Sequence, residues 1–456
     1  MAFSIDGIAS GLDTTNMINQ LMQLEARPQT LLRAKATSTQ GFITALQQLN
    51  TRLSSLTELA TKTAKPQALD LYKAASTSDT VTATATSSAG AGTLDFTVKQ
   101  LASSQSSVTA TMTAFSAAAS TLTLRAADGT TTEVTTTGTL DDVVAQVNKA
   151  DVGITATKVS AGTVDGVAQY RLQFTAKEPG TEHGFSVFRG TAADVTAGTA
   201  PDLFAEAGAA TVRAARNAEV VLWGGTAAEQ TITSSSNTFA DILPGVSVTV
   251  SKTTTEPVSV TVARDADATS AKAKELVDAL RSVFSFVDTN TKVTPGATAG
   301  AAPTSGRFTG DSAVRGIAQS VLTAATAPIN GRSTSELGIT LTRSGTVEFD
   351  AEKFAKALAA DPDQVEDALT QLAARVADAG KAASDKYDGE LTRRIQSQES
   401  TVRTLNDRVS DWDLRLEKRR TTLERTYSAL EVQLSQLQSQ GDWLSSQLAG
   451  LPTNGS

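Results

Sequence analysis

His183 is the only histidine in 456 residues, and Glu182 precedes it. An imidazole beside a carboxylate can relay a proton or bind a metal. One histidine with no cysteine and no clustered carboxylates supplies neither a ligand set nor a nucleophile, base and orienter, so the residue reads as a solvated strand end. Asp141-Asp142 could act as paired carboxylates, but next to Thr139 they read as charges that favour the start of a helix. Lys418-Arg419-Arg420 could hold a phosphate or form a solvated helix face, and the solvated face is the plainer reading. Gly224-Gly225 reads as a hairpin turn, because no strand-to-helix fingerprint of a nucleotide loop follows it. No catalytic residue, metal ligand or cofactor-binding residue is assigned, no cofactor is expected, and the chain is not expected to be an enzyme. A hydrolase hidden in the β-rich region is the reading with least support.

Composition narrows the partners. A net charge of −8 and a pI near 5.0 speak against nucleic acid. The absence of cysteine rules out disulfides and thiolate metal sites. The opening MAFSIDGIASG has no basic n-region and no apolar h-region, so it is not a conventional signal peptide. No apolar run approaches the roughly 20 residues of a membrane span, and no membrane insertion is expected. A protein of this kind that leaves the cell does so by another route.

Two helical seams bracket the chain. From Asp388 to Leu451 an apolar residue recurs every seventh position: Ile395, Val402, Val409, Leu416, Leu423, Leu430, Leu437, Leu444 and Leu451. The second apolar position migrates from Leu391, Leu405 and Trp412 to Tyr427, Leu434 and Leu448, as expected of a nearly straight helix that drifts roughly 20° per heptad. Near the other end Asp13, Thr14 and Thr15 can cap a helix. Met17 or Ile18, Leu21, Leu24 and Leu31, then Phe42, Leu46, Leu49, Leu53 and Leu56 after Gly41, form a second seam, which Pro28 should kink or end near Ala26 and Arg27. Two fates are open to these stripes: packing within one chain, or contact with other subunits or a chaperone.

Between Ser76 and Arg264 the period changes to two. Strands are expected at Val81–Thr86, Leu94–Val98, Leu122–Leu124, Ile154–Val159, Tyr170–Thr175, Phe185–Phe188, Val220–Trp223, Gln230–Thr233, Val246–Ser251 and Val258–Arg264, with a hairpin at Asp128-Gly129. A short helix capped by Thr139 is expected to run to Lys149, and Thr139–Val144 is weakly echoed by Thr238–Leu243. Helical period resumes at Asp265, with further caps at Asp311, Asp350 and Asp361 and a hairpin over Ile339–Phe349. The expected fold is therefore multi-domain α+β: long coiled-coil-like terminal helices and a helical frame with an inserted pair of β-rich domains. The expected partition is 1–41 (N-terminal leg), 42–75 (first part of the frame), 76–190 (β-rich plate domain), 191–264 (second β-rich domain), 265–400 (second part of the frame, with the 337–350 hairpin) and 401–456 (C-terminal leg).

Three stretches resemble one family. Ile8-Ala9-Ser10-Gly11-Leu12-Asp13-Thr14 with Gln20–Glu25 and Pro28, then Leu337–Asp350 with Leu358–Val365, then Tyr427–Leu437 with Trp443, Leu444 and Leu448, are similar in order to the flagellar hook-associated protein 2 family, the filament caps. Ala218–Val250 also looks like a β motif of flagellar axial proteins, and Tyr427 stands where phenylalanine is common. The resemblance implies a ring at the distal tip of the bacterial flagellar filament that promotes flagellin folding and insertion and prevents flagellin loss. It implies a homo-oligomer, a pentamer with four to six subunits open, and contact with flagellin and hook–filament junction proteins. It further implies an extracellular location reached by type III export, and a cytoplasmic chaperone on the C-terminal helix. Leu430, Leu434, Leu437, Leu444 and Leu448 are the expected chaperone and filament seam; Ile18, Leu21, Leu24 and Leu31 are the expected N-terminal assembly seam. The alternative is a surface adhesin that binds glycans through its β domains.

Overall fold

The computed structural model describes residue 11 and residues 13–296, 298, 301–342 and 345–449. The expected motif residues 8–10 and 12, the hairpin tip at 343–344 and the seam position 451 lie outside the described residues. The chain forms two units: Met1–Pro66 with Ser270–Ser456, and Gln67–Thr269. The helices in chain order are α1 (Thr14–Glu25), α2 (Arg27–Thr63), α3 (Leu140–Ala150), α4 (Ala192–Ala197), α5 (Ala266–Thr291), α6 (Ser312–Thr326), α7 (Ala351–Ala360), α8 (Pro362–Ser384) and α9 (Glu390–Ala449). The strands of the second unit are β1 (Tyr72–Ser76), β2 (Val81–Ala85), β3 (Gly92–Gln100), β4 (Ser106–Val108), β5 (Ser120–Ala126), β6 (Thr131–Thr136), β7 (Ile154–Val164), β8 (Val167–Ala176), β9 (Phe185–Arg189), β10 (Ala210–Arg213), β11 (Ala218–Leu222), β12 (Gln230–Ser234), β13 (Thr238–Leu243), β14 (Val246–Val250) and β15 (Val258–Arg264).

In the first unit the expected caps are in place. The side chains of Asp13, Asp311, Asp350 and Asp361 accept the backbone N–H three residues on, at 2.7, 3.1, 3.0 and 3.1 Å, which satisfies amides that the helix leaves unpaired. Pro28 sits in the first turn of α2, where its missing N–H costs nothing, so the break falls at Ala26. Gly41 does not interrupt α2: the helix continues through the expected boundary at 41–42, because one glycine in a long amphipathic helix costs only about 1 kcal/mol. Ile43, Leu46, Leu49, Leu53, Leu56 and Ala60 of α2 are buried, as are Leu276, Val277, Leu280 and Val283 of α5, Val314, Ile317 and Val321 of α6, and Leu369, Leu372 and Val376 of α8. Gly380 of α8 faces Thr57, and a Cβ there would lie 2.2 Å from the Thr57 hydroxyl oxygen; the glycine leaves the room that this hydroxyl fills. Short hairpins pair β16 (Val293–Thr294) with β17 (Thr304–Ser305) and β18 (Ile339–Leu341) with β19 (Val347–Phe349).

The second unit holds two β cores, and they are nested. One sheet runs β1-β15-β3-β11-β12 and a second runs β13-β14-β2; they share an apolar core of Leu94, Phe96, Val98, Val220, Phe239, Val246, Val248, Val258 and Val260. The alternation Val258, Val260, Val262 inward with Thr261 outward is the pleat read directly from sequence. The solvent face carries threonine ladders, with Thr93 opposite Thr261 at 3.3 Å and Thr238 opposite Thr249 at 2.9 Å, which accounts for the threonine-rich composition. The other core, from β4 to β10, joins sheets β10-β4-β8-β7 and β6-β5-β9 to α3. Leu122, Leu124, Val143, Val147, Leu172, Phe174, Val187 and Leu203 are its buried members.

This differs from the expected split into 76–190 and 191–264. Strands β2 and β3 belong with β11–β15, and the Ala/Gly-rich stretch from Thr191 to Ala215, expected to be a boundary, supplies Leu203 to the inner core and β10 to the edge of its sheet beside β4. Period-two patterning identifies strands but not their partners, so a contiguous split was the simplest reading and pairing over more than a hundred residues overrode it. The Thr139 and Thr238 echo likewise diverges: the first is a helix, the second a strand with Asp241 at φ +56°. The β7–β8 hairpin extends beyond the expected strands to a two-residue Asp165-Gly166 turn with both φ values positive, a turn signal present in the sequence.

Ser103 and Arg216 exchange both backbone hydrogen bonds at 3.0 Å, closing the neck of the insertion. Replacing residues 104–215 with an Asn-Gly turn should therefore leave the outer sheets folded. The check is a thermal melt followed by β-sheet circular dichroism: a retained cooperative transition is expected, and loss of it would show that the outer core depends on the inner one.

Candidate functional site: the terminal helical rod

The residues with possible chemistry are occupied structurally. Asp142 accepts the backbone N–H of Thr137 at 2.6 Å and the Gln146 amide at 3.1 Å, and the Thr137 N–H holds its carboxyl below the ordinary carboxylate range. Asp141 pairs with Lys158 at 2.5 Å. His183 lies 3.5 Å from Glu182 with its side chain about half exposed. Trp223, Gly224 and Gly225 form the β11–β12 turn. Among the described residues no group of three or more histidines and carboxylates could hold a metal ion, and no helix is long and apolar enough to cross a membrane.

What remains is the rod. Gln29 donates to the Val409 carbonyl at 3.3 Å and to Asp413. Arg33 also meets Asp413, at 3.1 Å, Arg419 meets Glu25 at 3.4 Å, and Arg420 donates to Asn19 at 3.0 Å. The Tyr427 hydroxyl donates to the Met17 sulfur at 3.3 Å. Positions thus rise on one side as they fall on the other: α1 and α2 run antiparallel to α9. Two members of the Lys418-Arg419-Arg420 run stitch α9 to α1, which goes beyond the solvated face expected of them.

The rod is fixed at one end by a polar and aromatic node. Asp311, capping α6, accepts a charged hydrogen bond from Arg394 near the start of α9. Their side chains are only 8% and 27% exposed, so the pair is much less screened than the surface pairs along the rod. The Arg394 guanidinium stands 5.4 Å from the Phe42 ring, whose edge meets Phe308 at 5.8 Å. The joint before α9 is held by Asp385, whose carboxylate accepts the N–H groups of Asp388 and Tyr387 at 3.0 and 2.8 Å; these bonds lower its pKa.

The structure separates the predicted seam residues. On α9, Leu391 and Leu405 are buried and Ile395, Val402, Val409, Trp412, Leu416, Leu423 and Tyr427 are half-buried. Beyond Tyr427 the row opens: Leu434 is half-buried, whereas Leu430, Leu437, Leu444 and Leu448 are 43, 62, 56 and 62% exposed. On the N-terminal side Ile18 is buried, but Leu21, Leu24 and Leu31 are 38, 59 and 72% exposed. The covered row is Ile18, Met22, Glu25, Gln29, Leu32, Ala36, Thr39 and Ile43, one residue, or about 100°, round the helix from the leucines. The leucine spacing is seam-like, yet half of the covered row (Glu25, Gln29, Ala36 and Thr39) is small or polar. A groove of about 500 Å³ lies beside it, formed by Pro28, Leu31, Leu32 and Trp412 with Arg408, Asp411 and Arg415. The sequence pattern missed this groove because its walls come from residues about 380 positions apart.

A helical rod with apolar rows facing solvent, and β-rich cores spliced between its helices, is the organisation of an assembly subunit. The fold is similar to that of the flagellar cap protein FliD D1-D2-D3 domains from Escherichia coli, with a TM-score of 0.60 and 20% identity over 78% of this chain and 99% of that one. Over 98% of both chains the sequence is 28% identical to the B-type flagellar hook-associated protein 2 of Pseudomonas aeruginosa and 27% identical to the A-type protein of that species. Residues 10–105 match the family model for the flagellar hook-associated protein 2 N-terminus, and residues 215–439 match that for its C-terminus. The chain belongs to the flagellar hook-associated protein 2 family, a family of structural proteins rather than enzymes. The two matches flank the stretch that folds as the inner β core, so the family signature resides in the helices and the outer sheets.

The node gives a graded test. Asp311→Asn keeps an oxygen to cap α6 but removes the charge facing Arg394; Asp311→Ala removes both. Urea melts should show the alanine variant less stable than the asparagine variant by about 1 kcal/mol, the worth of a cap, with both below the parent protein. Equal stability of the two variants would mean that the cap contributes nothing here.

Proposed function

We infer that this chain caps the bacterial flagellar filament at its distal tip. The observation that carries the reading is the open apolar row at the end of the rod, Leu430 to Leu448, on a chain of the hook-associated protein 2 family. Burying such leucines is worth about 2 kcal/mol each, so the row favours a partner. In the finer reading the subunits form a ring of five, with four and six open, which retains flagellin and promotes its folding and insertion. The rod descends as a leg, touching flagellin and, at the base of the filament, hook–filament junction proteins. The chain is exported through the flagellar type III apparatus and works outside the cell. Before export a cytoplasmic chaperone covers Leu430, Leu434 and Leu437 as a groove covers an amphipathic helix. The likenesses described above are to flagellar proteins, and none of those favours a glycan-binding role for the β domains.

The test replaces Leu430 and Leu437 with Asp. Both side chains are exposed, so the main thermal transition of the isolated protein should not move. Loss of two anchors should weaken partner binding by several kcal/mol, and cells carrying the variant should shed flagellin into the medium in place of growing filaments. Normal filament growth, or a large fall in the main transition, would contradict this role for the row.

A further inference from the structure

The groove between α2 and α9 and the open row at the end of α9 lie on the same rod but cannot meet within one chain. α9 is helical from Glu390 to Ala449, so Leu437 lies 25 residues beyond Trp412, about 38 Å along the axis at roughly 1.5 Å per residue. The row therefore lies out of reach of its own groove. Leu21, Leu24, Pro28 and Leu31 follow one another at steps of three, four and three, the spacing of a second seam, and their exposed face continues into the groove. The Arg415 guanidinium stands 5.3 Å from the Trp412 ring, and Arg408 adds a second positive charge to the rim, against one negative charge from Asp411. The segment from Leu430 to Leu448 carries no lysine or arginine; Glu431 at its start is buried, and exposed Asp442 supplies its negative charge. Groove and row complement each other in apolar spacing and in charge.

We propose that the Leu430–Leu448 segment of one copy lies in the Pro28–Leu31–Trp412 groove of a second copy, making the rod a third-helix acceptor. The contact is heterologous: donor and acceptor surfaces differ, so each copy retains a free row and a free groove for the next, and a closed ring results when the rotation permits. This rests on the capping reading for its setting but not for its geometry.

The chain has no cysteine, so single cysteines report contacts unambiguously. The full-length Leu31→Cys and Leu437→Cys proteins, mixed under mild oxidant, should give a mixed disulfide dimer. Glu58→Cys mixed with Leu437→Cys should not, because Glu58 is exposed elsewhere on α2. Leu24→Asp with Leu31→Asp should weaken self-association by at least about a hundredfold in sedimentation, the equivalent of two buried leucines, with an unchanged melt. Three results overturn the proposal: dimers bridged only through Leu437→Cys on both copies, which would pair row with row; no crosslink between copies at concentrations where the protein self-associates; or self-association unaffected by the Leu24 and Leu31 changes. If any of these occurs while cells still retain flagellin, the groove assignment fails and the capping function stands.

Discussion

One long helix with a single face to bury sets the terms for the helical unit. α2 spans 37 residues, and a helix in water gains little from propensity alone, so its length depends on what covers it. Two different helices do so. Near its C-terminal end the contact with α8 includes Gly380 set against Thr57, and Leu46, Leu49, Leu53 and Leu56 are fully buried. Near its N-terminal end α9 covers a row of Gln29, Leu32, Ala36 and Thr39, which buries far less apolar surface. Each leucine in the first contact contributes about 2 kcal/mol. The ion pairs that supplement the second, such as Arg33 with Asp413 at more than half exposure, contribute about 1 kcal/mol or less. The rod is the weaker half, and the partly buried Arg394–Asp311 node, with buried Leu391 and Leu405, holds α9 against the frame.

That imbalance connects stability to function. A helix whose apolar rows are to pack against partners in an assembly cannot satisfy all its apolar surface by itself. The exposed leucines on both sides of the rod are the remainder, in excess of what an isolated surface helix carries. The outer sheets of the β unit follow the opposite rule: threonine pairs face solvent while Val258, Val260 and Val262 point inward, although Val159, Val164, Val167, Val212 and Trp223 are exposed elsewhere in the unit.

Much of this was legible in the residues. The aspartate caps, the break at Pro28, the seven-residue repeat of α9 and the alternation of Val258, Val260 and Val262 are local signals, and each emerged where the chemistry placed it. The failures share one cause, that sequence spacing cannot name a partner. The β cores are nested because β3 pairs with β11 and β15, and no local pattern distinguishes that from pairing within a contiguous block. Leu21, Leu24 and Leu31 have the spacing of a seam, but α9 covers the neighbouring row from Ile18 to Ile43, where its polar partners Asp413 and Arg419 reach Gln29 and Glu25. The same limit hid the groove at Pro28, Leu31 and Trp412, whose two walls are separated by most of the chain.

α9 is covered as far as Tyr427 and, apart from Glu431 and the half-buried Leu434, open beyond it until assembly. Amide hydrogen exchange along α9 measures this directly, since protection reports the local free energy of opening. In the dilute monomer, amides from Leu391 to Tyr427 should exchange slowly and those from Leu430 to Leu448 quickly; in the assembled state the second stretch should become protected. Equal protection of both stretches in the monomer would overturn this, because the row would already have its partner within the chain.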